Sequence, residues 1–344
     1  MEKDSGGRRG FFRKMAGAAA GLAGLSAFGS SCSGRTPGRA EAVPAKASGP
    51  SRVVIARDES IWSGDALDPE KVRALVFRAV RKLADADDDA AAWSAFFGPG
   101  ERVSIKLNCI AGRMLSTTPE VTHAIASGLR AAGVGKGDIV GWDRTNRELR
   151  RAGYTLGENR SGAVFVGTDD RQAGYENELA IAGEVGSLVS KIANRWSDAM
   201  VNAPVLKDHD LAGMSGALKN YFGAIHNPNK LHENGCDPYV ADLNTMPVFK
   251  DKTRLIVCDG TTAQYHAGPS YKEHYAWRFS GVIVAADPVA ADSVARSIIN
   301  EKRKSEGLPT IEEEGRPAKY IESAAAPARA LGENRLDRIE IFEV

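Results

Sequence analysis

RVSIKL (102–107), TPEVTHAIASGLRAAG (118–133) and DIVGW (138–142) follow one another closely, and their order decides the fold. The first and third are short runs rich in β-branched and other apolar residues, which reads as buried strands. In the second, Thr118 supplies an N-cap, Pro119 suits the first helical position, and Gly133 closes the helix after about Ala132. Two strands joined through a helix of this length belong to a parallel pair, because a hairpin needs only a short turn.

The same alternation extends in both directions. RVVIA (52–56) reads as a strand. Residues 69–86 carry Val72, Leu75, Val76, Ala79, Val80 and Leu83 at helical spacing behind Pro69, the stripe of an amphipathic helix. AVFVG (163–167), RLIVC (254–258) and VIVA (282–285) are further strands, and AMVNAPVL (199–206) is extended. A helix entered through glycines is predicted over 213–225, another over 288–299, and a terminal strand over 336–342. Residues 169–198 and 262–280 read as insertions around the sheet. No internal repeat or coiled-coil pattern is present. The expected fold is α/β, a mostly parallel sheet with helices on both faces and insertions around the strand carboxyl ends, in one domain over 51–344.

The first fifty residues have a different character. Arg8-Arg9 precede Phe11, Phe12, Arg13 and Lys14, and an Ala/Gly-rich stretch runs from Met15 to about Gly29. A basic start, a short apolar middle and a small-residue end form an export signal, and the arginine pair marks it as a twin-arginine (Tat) address. The apolar middle holds about fifteen weakly hydrophobic residues, short of the roughly twenty that span a bilayer. The expectation is a signal over 1–32 and a flexible Pro/Ala/Gly/Ser linker over 33–50. Its partner is the Tat translocase, its destination the periplasm or cell surface, and no transmembrane segment remains in the mature protein. Cys32 behind Gly29-Ser30-Ser31 resembles a lipid-anchor site, and Ala40-Glu41-Ala42 offers an ordinary cleavage site; the sequence leaves both open.

Among 344 residues, 45 Lys/Arg face 44 Asp/Glu. With five basic and two acidic residues in 1–32, the remainder carries 40 and 42, near balance and without a basic run. Nucleic acid is therefore not an expected partner; a small-molecule substrate is. Cys32, Cys109, Cys236 and Cys258 show no CxxC spacing, which argues against an iron–sulfur cluster. An oxidising compartment allows one disulfide among Cys109, Cys236 and Cys258, and three buried thiols are equally compatible. No phosphate-loop, dinucleotide, HExxH or GxSxG motif occurs.

Ligands of open parallel sheets sit beyond the strand carboxyl ends. Lys106 and Asn108 end one strand there, and Asp143-Arg144-Thr145-Asn146 follow the next. The densest cluster is Lys207-Asp208-His209, then Lys219-Asn220, His226, Lys230 and His232, with three of six histidines inside 24 residues. Lysines and a helix start in one place suit an anion. The candidate catalytic residues are His209, as an acid/base of near-neutral pKa, with Lys219 and Lys207. Lys106, Asn108, Asp143, Asn220, Lys230 and Asp287 are the candidate anion-binding groups. Asp287-Pro288 reads equally as a helix cap. His226 and His232 are candidate ligands for a divalent metal, since imidazole suits several.

IKLN (105–108), TTPE (117–120), VLKDHDLAGMSGALKNYFGAIHNPNKLH (205–232), ADLN (241–244) and ADPVAADSVA (286–295) together resemble the DUF362 family, a domain of unknown function sometimes found beside a ferredoxin-type module. Leu107 stands where that family's motif leads one to expect proline. The resemblance implies a fold and a site region but no reaction. A shorter segment, His209 to Lys219, is similar to the nickel-pincer lactate racemase family. That resemblance implies Lys219 as a cofactor tether, His209 as an acid/base, and His226 or His232 as the metal-ligating histidine. The reading that follows is an exported enzyme, racemase-like or oxidoreductase, acting on a small anionic or hydroxylated substrate. A ligand-binding protein without catalysis and a redox protein with a bound cofactor are the alternatives.

Overall fold

The computed structural model describes residues 49–157 and 162–344. The twin-arginine segment, Cys32 and most of the linker lie outside them. In chain order the main elements begin with β1 (Ser51–Arg57), α1 (Pro69–Ala84), α2 (Asp89–Ser94), β2 (Val103–Lys106), α3 (Pro119–Ala131), β3 (Ile139–Asp143), α4 (Asn146–Ala152) and β4 (Val164–Gly167). They continue with β5 (Ala199–Asn202), β6 (Val205–His209), β7 (Gly213–Ser215), α5 (Ala217–Asn220), α6 (Tyr239–Thr245) and β8 (Thr253–Gln264). The last are β9 (Ala276–Trp277), β10 (Gly281–Ala285), α7 (Pro288–Ser305), α8 (Tyr320–Ala325) and β11 (Ile339–Glu343).

The eleven strands form one sheet whose spine runs β11-β1-β10-β8-β5-β2-β3-β4. Neighbours from β8 to β4 are parallel, as are β1 and β11, while β10 is antiparallel to both its neighbours. The sheet is thus mostly parallel, and its side chains alternate between two cores. Val54, Ala56, Val103, Ile105, Val282 and Val284 pack with α1, α2 and α3 on one face. Val53, Ile55, Val140, Trp142, Ile283 and Ala285 pack with α6, α7 and α8 on the other.

Local capping explains where the helices start. The Asp68 carboxylate accepts from the backbone N–H of Glu70 and Lys71 ahead of Pro69, and Thr118 Oγ1 accepts from Val121 N–H ahead of Pro119. Asp259 on β8 accepts from both the N–H and the hydroxyl of Thr118, which ties the start of α3 to the sheet. Among the described residues no helix is long and apolar enough to cross a membrane.

Three stretches differ from their sequence reading. The helix predicted over 213–225 is instead strand β7, then a single turn α5, then a 3-10 turn Tyr221–Ala224. β7 pairs antiparallel with β6, and Gly213 turns the chain with φ +81°, where an added Cβ would lie 2.2 Å from the carbonyl of Arg316. The extended stretch 199–206 splits into β5 and β6 at Ala203-Pro204, because proline donates nothing to a ladder. Strand 254–258 lengthens to Gln264 and takes up part of the expected insertion. β8 pairs first with β5 and then with β6, across irregular registers, so the end of β6 comes beside the ends of β2 and β3.

Candidate functional site

The carboxyl ends of the parallel strands converge as sheet topology requires. Lys106 ends β2 and stands in register with Trp142 on β3 and Asn202 on β5. Its ammonium is 1% exposed and donates to Asp143 Oδ1 at 2.7 Å and to the Leu107 carbonyl at 2.6 Å, with Asn220 Oδ1 at 3.4 Å. Asp143 is fully engaged: Oδ1 also accepts from Arg144 N–H and Oδ2 from Cys109 N–H. Gly223 sits directly over the pair, since a Cβ there would lie 2.8 Å from Lys106 Nζ and 2.9 Å from Asp143 Oδ1.

An amide chain extends from this pair. Asn108 Nδ2 donates to Asn220 Oδ1, and Asn220 Nδ2 donates to Asn202 Oδ1. Asn202 in turn donates to the Ala217 carbonyl. The Lys207 ammonium donates to Asn108 Oδ1 at 2.7 Å and to the Leu115 carbonyl at 3.4 Å. Lys207 is fully buried, and burial depresses its pKa to about 8.

His209 ends β6. Its Nδ1 accepts from the N–H of Leu211 and of Ala212, which assigns the ring proton to Nε2. Burial, with Lys219 as the next cause, pushes its pKa down to about 2, so the ring stays neutral. The near-neutral acid/base role read from sequence therefore does not suit it; a fixed Nε2–H donor does. His209 stacks on His232 at 5.6 Å, and His232 meets Phe222 edge-on at 5.4 Å. Lys219 Nζ lies 3.2 Å from His232 Nε2 and 4.3 Å from the centre of the Phe222 ring. His232 Nδ1 faces the Pro228 carbonyl, so its Nε2 is the acceptor for the ammonium. Burial brings Lys219 down to about 8 and also lowers His232. Among the described residues neither Lys207 nor Lys219 is ion-paired with a carboxylate.

These groups line a cleft of about 450 Å³ bounded by Lys106, Asn108, His209, Lys219, Asn220 and His232. Arg144, ion-paired to Glu148, and the exposed Asp210 also line it. The pattern of the domain of unknown function DUF362 matches residues 103–297, more than half of the chain. The chain belongs to the DUF362 family. Among curated proteins none matches it. A crystal structure of a Thermotoga maritima protein matches at 12% identity and a TM-score of 0.41, covering 72% of this chain and 61% of that one. This chain thus spans less than two thirds of that structure's length, and the likeness is too distant to bear on the site.

Seven of the sequence candidates meet in the DUF362 cleft or hold its floor: Lys106, Asn108, Asp143, His209, Lys219, Asn220 and His232. Lys207 stands behind it through Asn108. Three lie elsewhere. Lys230 is exposed and donates to the Gly186 carbonyl. His226 is exposed and packs edge-on against Tyr175, so it and His232 are not brought together. Asp287 caps α7, accepting from Val289 and Ala290 N–H, and also binds Ser51 and Glu333 N–H. Among the described residues no three His, Cys, Asp or Glu side chains form a group able to hold a metal. Cys109, Cys236 and Cys258 are free and buried, so no disulfide joins them.

Sequence reading missed two positioning groups. Asp292 on α7 accepts from Ala217 N–H at 2.6 Å and Leu218 N–H at 3.0 Å, fixing the turn that carries Lys219 and Asn220. Burial raises its pKa to about 7, against the pull of those two donors. The second Asp of ADPVAADSVA was the available signal. Asp208 alternates away from Lys207 and His209 and is held by Arg316, with Arg303 at 3.6 Å; Arg316 also donates to the His209 carbonyl. Asp292→Ala leaves two buried N–H groups unpaired and is expected to cost about 1–3 kcal/mol per group in urea denaturation.

Proposed function

We propose that this DUF362 protein is an enzyme acting on a small anion, with Lys219 as its proton-transferring group. One observation carries the reading: Lys219 in the cleft and Lys207 behind it through Asn108 are both buried, and among the described residues neither is ion-paired with a carboxylate. Burying an ammonium without a counter-charge is costly, and such a site gains most from a ligand that brings negative charge. With its pKa near 8, Lys219 is about one-tenth neutral at pH 7, which suits a base that also returns the proton. His209 Nε2–H offers a fixed donor to charge developing on the ligand, as neutral imidazoles do elsewhere. Lys106, locked to Asp143, shapes the floor without transferring a proton.

The sign of the pH dependence follows from the depressed lysines. A bound anion favours the ammonium form, so binding above pH 8 takes up protons and loses affinity. Titration calorimetry with acetate, fully ionised throughout, is expected to show affinity nearly constant from pH 6 to 7.5. Between pH 8.5 and 9.5 it falls by up to about a hundredfold per pH unit, the limit for two coupled protons. Affinity unchanged across pH 8 removes the lysine pair from the reading. Anion binding with no turnover of any anion tested would leave a binding protein.

A second reading rests on the meeting of Lys219, His209 and His232 in one cleft. Lys219 would be the tether of a nickel-pincer group and His232 the ligand; the group would supply hydride exchange when bound. Intact-mass measurement on protein from its native host tests this: an adduct on the Lys219 peptide supports it, and an unmodified Lys219 with no nickel removes it. The twin-arginine signal adds that the protein works outside the cytoplasm. Retention in the cytoplasm of Tat-deficient cells, and release from it in wild-type cells, is the expected outcome of fractionation.

A further inference from the structure

Two stretches that build the cleft share one gradient. Lys106, Asn108 and Ile110 run outward from β2 at every second residue, and Lys207, His209 and Leu211 run outward from β6 in the same way. In each, a buried lysine comes first and a hydrogen-bonding side chain second. A large aliphatic side chain comes third: Ile110 is 48% exposed and Leu211 55% exposed, and both line the cleft. Phe222, Pro228 and Pro269 add to the apolar lining, and Phe222 continues the ring contacts of His209 and His232. Cationic and amide groups thus form the inner end, while the mouth carries Ile110 and Leu211 as its large aliphatic side chains beside the polar Asp210, Asn229 and Arg144.

From this gradient we infer that the ligand is an amphiphile: an organic carboxylate with one anionic head and an apolar body of several carbons, entering head first. The inference rests on the anion-binding reading and names its substrate class. A sugar phosphate or a nucleotide presents hydroxyls or further charges along its body. Against Ile110 and Leu211 those groups would lose water and gain no partner. An alkyl or aryl body covers the same side chains and removes their exposed surface from water.

The test is a binding series on the full protein at pH 7 with acetate, butyrate and hexanoate. Inorganic phosphate serves as an anion without a body and 1-hexanol as a body without charge. Affinity is expected to rise about threefold to fourfold with each methylene from butyrate onward. Phosphate and 1-hexanol are expected to bind more weakly than hexanoate. In Ile110→Ser and Leu211→Ser the gain per methylene is expected to shrink toward unity. Equal affinity for acetate, hexanoate and phosphate overturns the inference while keeping the anion site. Binding of 1-hexanol as tight as hexanoate also overturns it. Failure of every anion to bind removes the proposed function itself. A flat series in which Leu211→Ser abolishes self-association would give the aliphatic pair to contact between molecules instead.

Discussion

Asp143→Ala is expected to lose about 3–5 kcal/mol of stability, the largest single effect at the site. The Lys106 ammonium is buried, and Asp143 is the only carboxylate ion-paired with it among the described residues. Removing one member of a buried pair leaves the other charge without compensation, which is what sets this range. The loss is compounded because Asp143 also holds Arg144 N–H and Cys109 N–H. Chemical denaturation of the variant against wild type is the check. Replacing both partners, as Lys106→Met with Asp143→Leu, is expected to recover much of the loss. A cost under about 1 kcal/mol for Asp143→Ala would mean that the pair does not organise the floor.

Lys219→Met is expected to weaken anion binding by about a hundredfold while leaving the melting temperature equal or higher. A charge-assisted hydrogen bond contributes about 1.5–3 kcal/mol, which sets the fold-change. The stability follows from burial: Lys219 is almost fully buried and, among the described residues, is not ion-paired with a carboxylate, and methionine fills similar space without a charge to desolvate. Lys219→Arg separates binding from proton transfer. Arginine keeps its charge, so the anion should still bind above pH 8, but it does not release a proton near neutrality. Turnover retained in Lys219→Arg would move the proton-transfer role to another group.

The sheet was legible because its evidence is local. β2 and β3 announce themselves by short β-branched runs, and Thr118-Pro119 marks the start of α3 with its own cap. The alternation Val53/Val54/Ile55/Ala56 already places side chains on two faces. Residues 213–225 misled for a physical reason. Apolar spacing there is compatible with a helix, yet residues 213–215 pair with β6 as a strand, and Gly213 combines a left-handed φ with the backbone of Arg316 lying too close for a side chain. Residue 316 is more than a hundred positions away, and nothing near 213 reports it.

Cluster membership was partly legible as well. Lysine at a strand end, with an asparagine two residues on, marked Lys106 and Asn108, and the Lys207-to-His232 block marked most of the rest. What each group does was not legible. Asp143 looked like a ligand contact and proves to be the counter-charge of Lys106, 37 residues earlier in the chain. Asp287 looked like a site carboxylate or a cap and is the cap. His209 has an ordinary imidazole in sequence terms; burial and the nearby Lys219 keep it neutral, and the two N–H groups at its Nδ1 put the proton on Nε2.

Strand periodicity, helix caps and the clustering of lysine and histidine after strand ends were fixed by neighbouring residues, since φ/ψ preference and side-chain parity act over one or two turns. Partnership and protonation were fixed by distance in space. Whether a lysine is matched by a carboxylate, as Lys106 is, or left to depress its pKa to about 8, as Lys207 and Lys219 are, depends on which chain segments fold against it. Desolvation and Coulomb energy are properties of that packing, so they exist only once the tertiary structure has formed.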